Sequence, residues 1–231
     1  MIFEQLFDIK SSTYTYIISS GKGREALIID PVIENTDEYI KVLKNLDLKL
    51  VKVIDTHIHA DHISGLNELG KRTACSKIMG EQSSSEVLDI RVKDNEKIKI
   101  ENIELISMYT PGHTDCSYSF LMNNRVFTGD ALLINGTGRT DFQSGSSHDA
   151  YHSLFNKLLK LPETTLVFPA HDYNGKKYST IENEKNNNPR LQVKSAEEYG
   201  EMMNSLSLEF PEMIDIAISA NIKGFTLDHI N

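Results

Sequence analysis

Thr56-His57-Ile58-His59-Ala60-Asp61-His62 is the stretch that decides how this 231-residue chain is read. Three imidazoles and a carboxylate fall between His57 and His62. In extended backbone, residues two apart point the same way. His57 and His59 can therefore address one region, while Asp61 and His62 begin the next turn and face a neighbouring one. The preceding run, Leu50-Val51-Lys52-Val53-Ile54, reads as a strand that delivers the cluster at its C-terminal end. Imidazole together with carboxylate suits zinc and first-row metals such as iron. The ordinary alternative is a solvated histidine-rich loop, which the density of ligand types disfavours.

Outward from the cluster, three further candidates stand where predicted strands stop: His113 in Pro111-Gly112-His113-Thr114, Asp130 in Thr128-Gly129-Asp130-Ala131, and His171 in Pro169-Ala170-His171-Asp172. Alone, each has a plain explanation: a turn for the histidines, a helix N-cap for the aspartate. Together with the first cluster they read as one metal constellation, since scaffolds present function where strands give way to loops. His148 and His152 are spaced i, i+4, formally a ligand spacing, but the His-Glu-x-x-His pattern is missing. They read as a surface or helix-packing pair, and His229 as solvated. Cys116 reads as a small buried apolar residue.

Residues 12–19 and 25–30 read as strands joined by the Gly21-Lys22-Gly23 turn. Asn35 or Thr36 caps a helix running to about Leu46, with Tyr39, Val42 and Leu43 as its apolar stripe. A helix from about His62 to Lys71 is expected next. Lys97–Ile100 pairs with Ile103–Ile106 across Glu101-Asn102, and Tyr118–Leu121 with Arg125–Thr128 across Asn123-Asn124. Ser147 opens an amphipathic helix, Thr165–Phe168 is a strand, and Ser179-Thr180-Ile181-Glu182 and Ser195-Ala196-Glu197-Glu198 are capping-box patterns. No linker cuts the chain, so residues 1–231 are expected to form one domain with a short helical extension from about 192. Two β-sheets with helices outside accommodate this order.

A formal net charge of -9 argues against a nucleic-acid partner, because neutralising phosphates requires basic patches. Two cysteines suit a reducing compartment rather than a disulfide framework. The start has no basic signal-peptide region and no apolar run approaches a membrane span, so the expected location is cytoplasmic.

The His-x-His-x-Asp-His run, Gly112-His113-Thr114, Thr128-Gly129-Asp130 and Pro169-Ala170-His171 resemble the metallo-β-lactamase superfamily. That resemblance implies an α/β fold, an αββα sandwich of two mixed β-sheets flanked by helices. Thr128–Leu133, Gly138-Arg139-Thr140-Asp141-Phe142-Gln143, Pro169–Tyr173 and Asn188-Pro189-Arg190-Leu191 are similar, more narrowly, to the persulfide dioxygenases, glutathione-dependent sulfur oxygenases. The likeness runs from about residue 12 to residue 221. It implies one Fe(2+) per chain, held by His57, His113 and Asp130, a two-histidine, one-carboxylate set that leaves positions open. His59, Asp61, His62 and His171 then lie behind the ligands, or hold a second metal in the hydrolase relatives. The same resemblance assigns Arg139, Tyr173 and Arg190 to the glutathione portion, where guanidinium groups suit its carboxylates.

Two positions depart from the family pattern: Cys116 stands where relatives commonly have glycine, and Thr137 where they often have cysteine. The implied reaction converts glutathione persulfide, O2 and water to sulfite and glutathione. The expected partners are thus small molecules, with a homodimer as the candidate assembly. One rival is a glyoxalase II-type hydroxyacylglutathione hydrolase with two Zn(2+) per chain. Against it, Gly138-Arg139 does not continue into Phe-Phe-Glu-Gly. The other rival is a non-catalytic binding module, which the filled ligand positions disfavour.

Overall fold

The computed structural model describes residues 1–209 and 213–230, without the side chain of Asp215. In chain order the strands are β1 (Ile2–Asp8), β2 (Thr13–Ser19), β3 (Glu25–Ile29), β4 (Lys49–Ile54), β5 (Ser76–Gly80), β6 (Ile90–Val92), β7 (Lys97–Ile100), β8 (Ile103–Tyr109), β9 (Tyr118–Met122), β10 (Arg125–Gly129), β11 (Leu166–Pro169) and β12 (Ser179–Thr180). The helices are α1 (Thr36–Asn45), α2 (Leu66–Thr73), α3 (Ser147–Asn156), α4 (Ile181–Asn187), α5 (Ala196–Asn204), α6 (Ile214–Lys223) and α7 (Leu227–Ile230). The strands form two mixed six-stranded sheets, as the expected fold class requires. Among the described residues no helix is long and apolar enough to cross a membrane.

By compactness the chain divides into two units. Met1–Val92, Ile98–Glu104 and Phe210–Asn231 make the first, Lys93–Lys97 and Leu105–Glu209 the second. The first unit carries a sheet ordered β1-β2-β3-β4-β5-β6. β1, β2 and β3 run antiparallel, while β3 to β6 pair in parallel. Parallel neighbours need crossovers, which α1 and α2 supply for β3–β4 and β4–β5. Every residue of β2 is buried. Its polar members therefore find partners: Thr15 Oγ1 donates to the Asp30 carbonyl at 2.7 Å and lies 2.9 Å from Tyr39 Oη. Ile33, Ile63 and Ala220 form a small apolar cluster that brings α6 into the same unit.

The other sheet is ordered β12-β11-β10-β9-β8-β7. In the second unit, β9 and β10 meet in a hairpin with Met122 opposite Arg125 and Asn123 at φ 52°, the left-handed backbone a two-residue turn demands. α3, α4 and α5 pack Ala150, Leu154, Ile181, Tyr199 and Met203 against Val126 and Val167 of β10 and β11.

The expected strands and helices are found, with two shifts. The helix expected from His62 begins at Leu66 instead. Residues 62–65 are held in irregular backbone by the Val32–Ser64 bridge and by Ile33 N donating to Ile63 O at 2.9 Å. The cap expected at Ser179 is Thr180, whose hydroxyl accepts from Asn183 N at 3.0 Å. Of the extension expected from about 192, residues 210–212 lie outside the described residues.

Candidate metal centre

β4 ends at Ile54, and the chain enters a loop whose first carboxylate, Asp55, is buried. His57, His59 and His62 follow, all buried, with ring centroids 4.2 Å apart for the first pair and 4.3 Å for the second. Asp30, one residue past β3 and at φ 51°, organises this loop from the neighbouring strand. Its carboxylate accepts from Thr56 N at 2.7 Å and Thr56 Oγ1 at 3.1 Å, and lies 3.2 Å from His59 Nε2. Thr56 Oγ1 in turn meets His57 Nδ1 at 3.0 Å, so Nε2 is the ring nitrogen with which His57 would bind a cation. Asp61 Oδ2 meets His62 Nδ1 at 3.0 Å, and Thr13 donates to the same carboxylate oxygen at 3.3 Å.

The electrostatics of this loop are those of a packed acid–base cluster. Burial works against a charged His59, yet the hydrogen bond and charge of Asp30, with Asp55 and Asp61, hold its pKa up to about 9. Burial pushes the Asp55 carboxyl up to about 7 against the opposing pull of His59. Donor atoms of His59, Asp61 and His62 lie within 4.8 Å of one another. His59 Nδ1 is buried without a hydrogen-bond partner, so a water, or a cation that displaces the ring's extra proton, would satisfy it.

The second unit supplies its own converging set. Gly112 precedes His113 with φ 137°, and a Cβ there would stand 2.3 Å from the Ala150 Cα on α3. Only glycine brings the chain past that helix. His113 Nδ1 is 2.8 Å from the Arg139 carbonyl oxygen. A carbonyl can only accept, so Nδ1 carries the proton and Nε2 presents its lone pair. That nitrogen lies 3.5 Å from Asp130 Oδ2, while His171 Nε2 lies 3.6 Å from Asp130 Oδ1. Asp130 Oδ1 is buried and makes no hydrogen bond. Donor atoms each about 2.1 Å from one ion stand roughly 3–3.5 Å apart, so this spacing suits a shared cation. The chemistry of the donors and the unsatisfied carboxylate oxygen both fit a bound metal.

The three residues assigned to glutathione are in different states. Arg139 is bound bidentately to Asp141, Nε to Oδ1 at 2.7 Å and Nη2 to Oδ2 at 2.6 Å, and donates Nη1 to the Glu209 carbonyl at 2.6 Å. Arg190 donates Nη1 to the Thr137 carbonyl, and burial draws its pKa down. Tyr173 is 73% exposed and stacks on His171 at 6.2 Å and 9°. Thr137, in the slot often held by cysteine, is buried with its hydroxyl 2.8 Å from Tyr199 Oη. Cys116 is buried and is not among the described positive-φ residues, so the slot does not demand glycine here. His148 and His152 are exposed, as expected, with their Nε2 atoms 3.2 Å apart.

Asp30, Asp55 and Gly138 were not among the sequence candidates. Asp30 carries the same signal as the others, a polar residue where a strand ends. Gly138 carries none. Its N–H donates to the Asp130 carbonyl at 2.8 Å, and a Cβ would come within 2.2 Å of that oxygen and 2.9 Å of His113 Cγ.

Comparison with known proteins places this arrangement. The model of the metallo-beta-lactamase superfamily matches residues 9–94 and 84–171. The mitochondrial persulfide dioxygenase ETHE1 of Mus musculus is 40% identical over 230 residues, 96% of this chain and 88% of its own. The crystal structure of ETHE1 from Myxococcus xanthus matches with a TM-score of 0.93 at 44% identity, over 96% of this chain and 98% of that one. A probable hydroxyacylglutathione hydrolase of Schizosaccharomyces pombe is 34% identical, over 69% of this chain and 64% of its own. On the fold and on the identity and length of these matches, the chain belongs to the metallo-β-lactamase superfamily and, within it, to the persulfide dioxygenase family.

Proposed function

We propose that this chain is a persulfide dioxygenase that oxidises glutathione persulfide with one iron(II) held by His57, His113 and Asp130. The observation that carries the reading is the 40% identity to a persulfide dioxygenase across 96% of the chain. Overall, one glutathione persulfide, one O2 and one water give one glutathione, one sulfite and two protons. Held by His57, His113 and Asp130, an iron(II) ion would supply the redox chemistry that joins O2 to the terminal sulfur. The chain's own part is orientation. The Arg139 carbonyl holds the proton on His113 Nδ1 and leaves Nε2 for the metal. Thr56 performs the matching service at His57 Nδ1. Arg139 and Arg190 take the carboxylates of the tripeptide, Arg139 by exchanging Asp141 for the ligand, and the exposed ring of Tyr173 covers the glutathione portion. Two free buried cysteines support a reducing compartment, and we place the protein in the cytoplasm.

A two-metal hydrolase is the second reading, favoured by His171 standing 3.6 Å from Asp130 and by the His59–Asp61–His62 group. Metal analysis separates them. One iron per chain, with O2 uptake on glutathione persulfide and no hydrolysis of S-lactoylglutathione, is the expected result. Two zinc ions per chain with thiolester hydrolysis would overturn it.

A further inference from the structure

Between β4 and α2 the histidine loop has no regular secondary structure, so its backbone polar groups must find partners elsewhere. Three of them find the same side chain. Asn221 on α6 accepts from Ser64 N through Oδ1 at 2.8 Å, and donates Nδ2 to the carbonyls of His59 at 2.9 Å and His62 at 3.0 Å. One acceptor and two donors on a short stem is an inventory that only a carboxamide offers. The contacts span 157 to 162 residues of sequence.

The helix that carries this amide is itself pinned. Ala217 and Ala220 are fully buried, and Ala220 packs with Ile33 and Ile63. Asn67 of α2 donates to the Gly224 carbonyl at 2.6 Å, Glu86 N donates to the Ile222 carbonyl at 2.8 Å, and Lys71 Nζ donates to Thr226 Oγ1 at 3.1 Å. Gly224 ends the helix at φ 67° where a Cβ would strike Val87. The amide is thus held by a rigid element and grips a loop with no ladder of its own.

We propose that Asn221 is a positioning residue for the metal centre, a clamp by which α6 fixes the backbone of His59, His62 and Ser64 and so sets where His57 presents its imidazole. The inference rests on His57 being a metal ligand. Groups that orient ligands typically alter metal affinity by about 10–100-fold when lost.

The test is anaerobic iron(II) binding by chelator competition, with the visible spectrum of the cobalt(II)-loaded protein as a second readout. It compares the parent, His57→Ala, Asn221→Ala and the isosteric Asn221→Asp, which keeps the acceptor toward Ser64 but faces two carbonyls with an anion. Both Asn221 variants should bind iron(II) about tenfold to a hundredfold more weakly and shift the cobalt bands. They should also shrink the rise in Tm that metal produces. An unchanged affinity and an unchanged metal-induced rise, with apo and loaded forms destabilised alike, would show a merely structural residue and overturn the proposal. If neither variant folds, Asn67→Ala takes their place, because it loosens α6 without touching the loop. Unchanged affinity there counts equally against the clamp. A parent that binds no iron, or a His57→Ala protein that binds it as tightly as the parent, instead overturns the assignment of His57 beneath it.

Discussion

At Gly138 the lack of a side chain lets the backbone pass between Asp130 and His113, and both depend on it: one gives a carbonyl to its N–H, the other lies against its Cα. Gly138→Ala should therefore cost about 1–3 kcal/mol in urea unfolding and also lower metal content, because the methyl must move one candidate ligand. A variant with parental stability and full metal would remove the close approach from the account. At Arg139 the side chain and the backbone do separate jobs. Arg139→Ala removes the guanidinium but keeps the carbonyl that orients His113, so metal should stay bound while KM for glutathione persulfide rises. A charge-assisted contact of roughly 1.5–3 kcal/mol corresponds to about a tenfold to hundredfold loss. Asp141 holds the same guanidinium, and that hydrogen bond keeps its carboxyl below the usual carboxylate range. Asp141→Asn should then lower KM by releasing the arginine; steady-state kinetics showing no change in either variant would take Arg139 out of the binding site. The ligand types were legible in the sequence because several fall in one short run and the rest stand at strand ends. Gly138 and Asn221 were not: a glycine needed for a close approach looks like any glycine, and an amide acting across more than 150 residues leaves no local pattern.

At the scale of elements, α4 separates a pattern from its geometry. Ser179 opens a capping-box sequence, but Thr180 is the residue with extended backbone whose hydroxyl accepts from Asn183 N, while Ser179 Oγ donates to the buried Glu184. Thr180→Ala should cost about 1 kcal/mol as a lost N-cap. Ser179→Ala leaves a buried carboxylate short of a donor, and Glu184 also accepts from Asn135 N at 2.9 Å in the chain leading to Gly138. Ser179→Ala should thus cost at least as much, about 1–3 kcal/mol. Equal retention of stability in both, by denaturant titration, would contradict this division of labour. α5 shows the pattern working as read, with Ser195 accepting from Glu198 N at 3.2 Å. β6 spans only Ile90–Val92, too short for any alternation to register in the sequence. α2 starts later than its spacing predicts, because helical spacing continues upstream of Leu66 in a segment whose backbone is already claimed by Val32 and Asn221.

For the molecule as a whole, metal and stability are linked. An ion bound by the folded chain and not by the unfolded one adds about 2.7 kcal/mol when free metal is at 100 times Kd. Stripping it with a chelator should lower Tm, restored by iron(II); identical melting of the stripped and loaded protein would mean that the donors do not hold the ion. The expected class of two mixed sheets with helices was legible because each strand–turn signal is local. The way the chain interleaves was not, since no short pattern announces that α6 and α7 rejoin the unit begun by residues 1–92. That return has a consequence during synthesis. Translation at roughly 5–20 residues per second needs about 5–20 s to make residues 105–209, and throughout that time the histidine loop exists without α6. The nascent chain therefore emerges with its richest cluster of imidazoles already made and its backbone clamp not yet translated. Vectorial synthesis thus defers the finishing of this loop until α6 has left the ribosome.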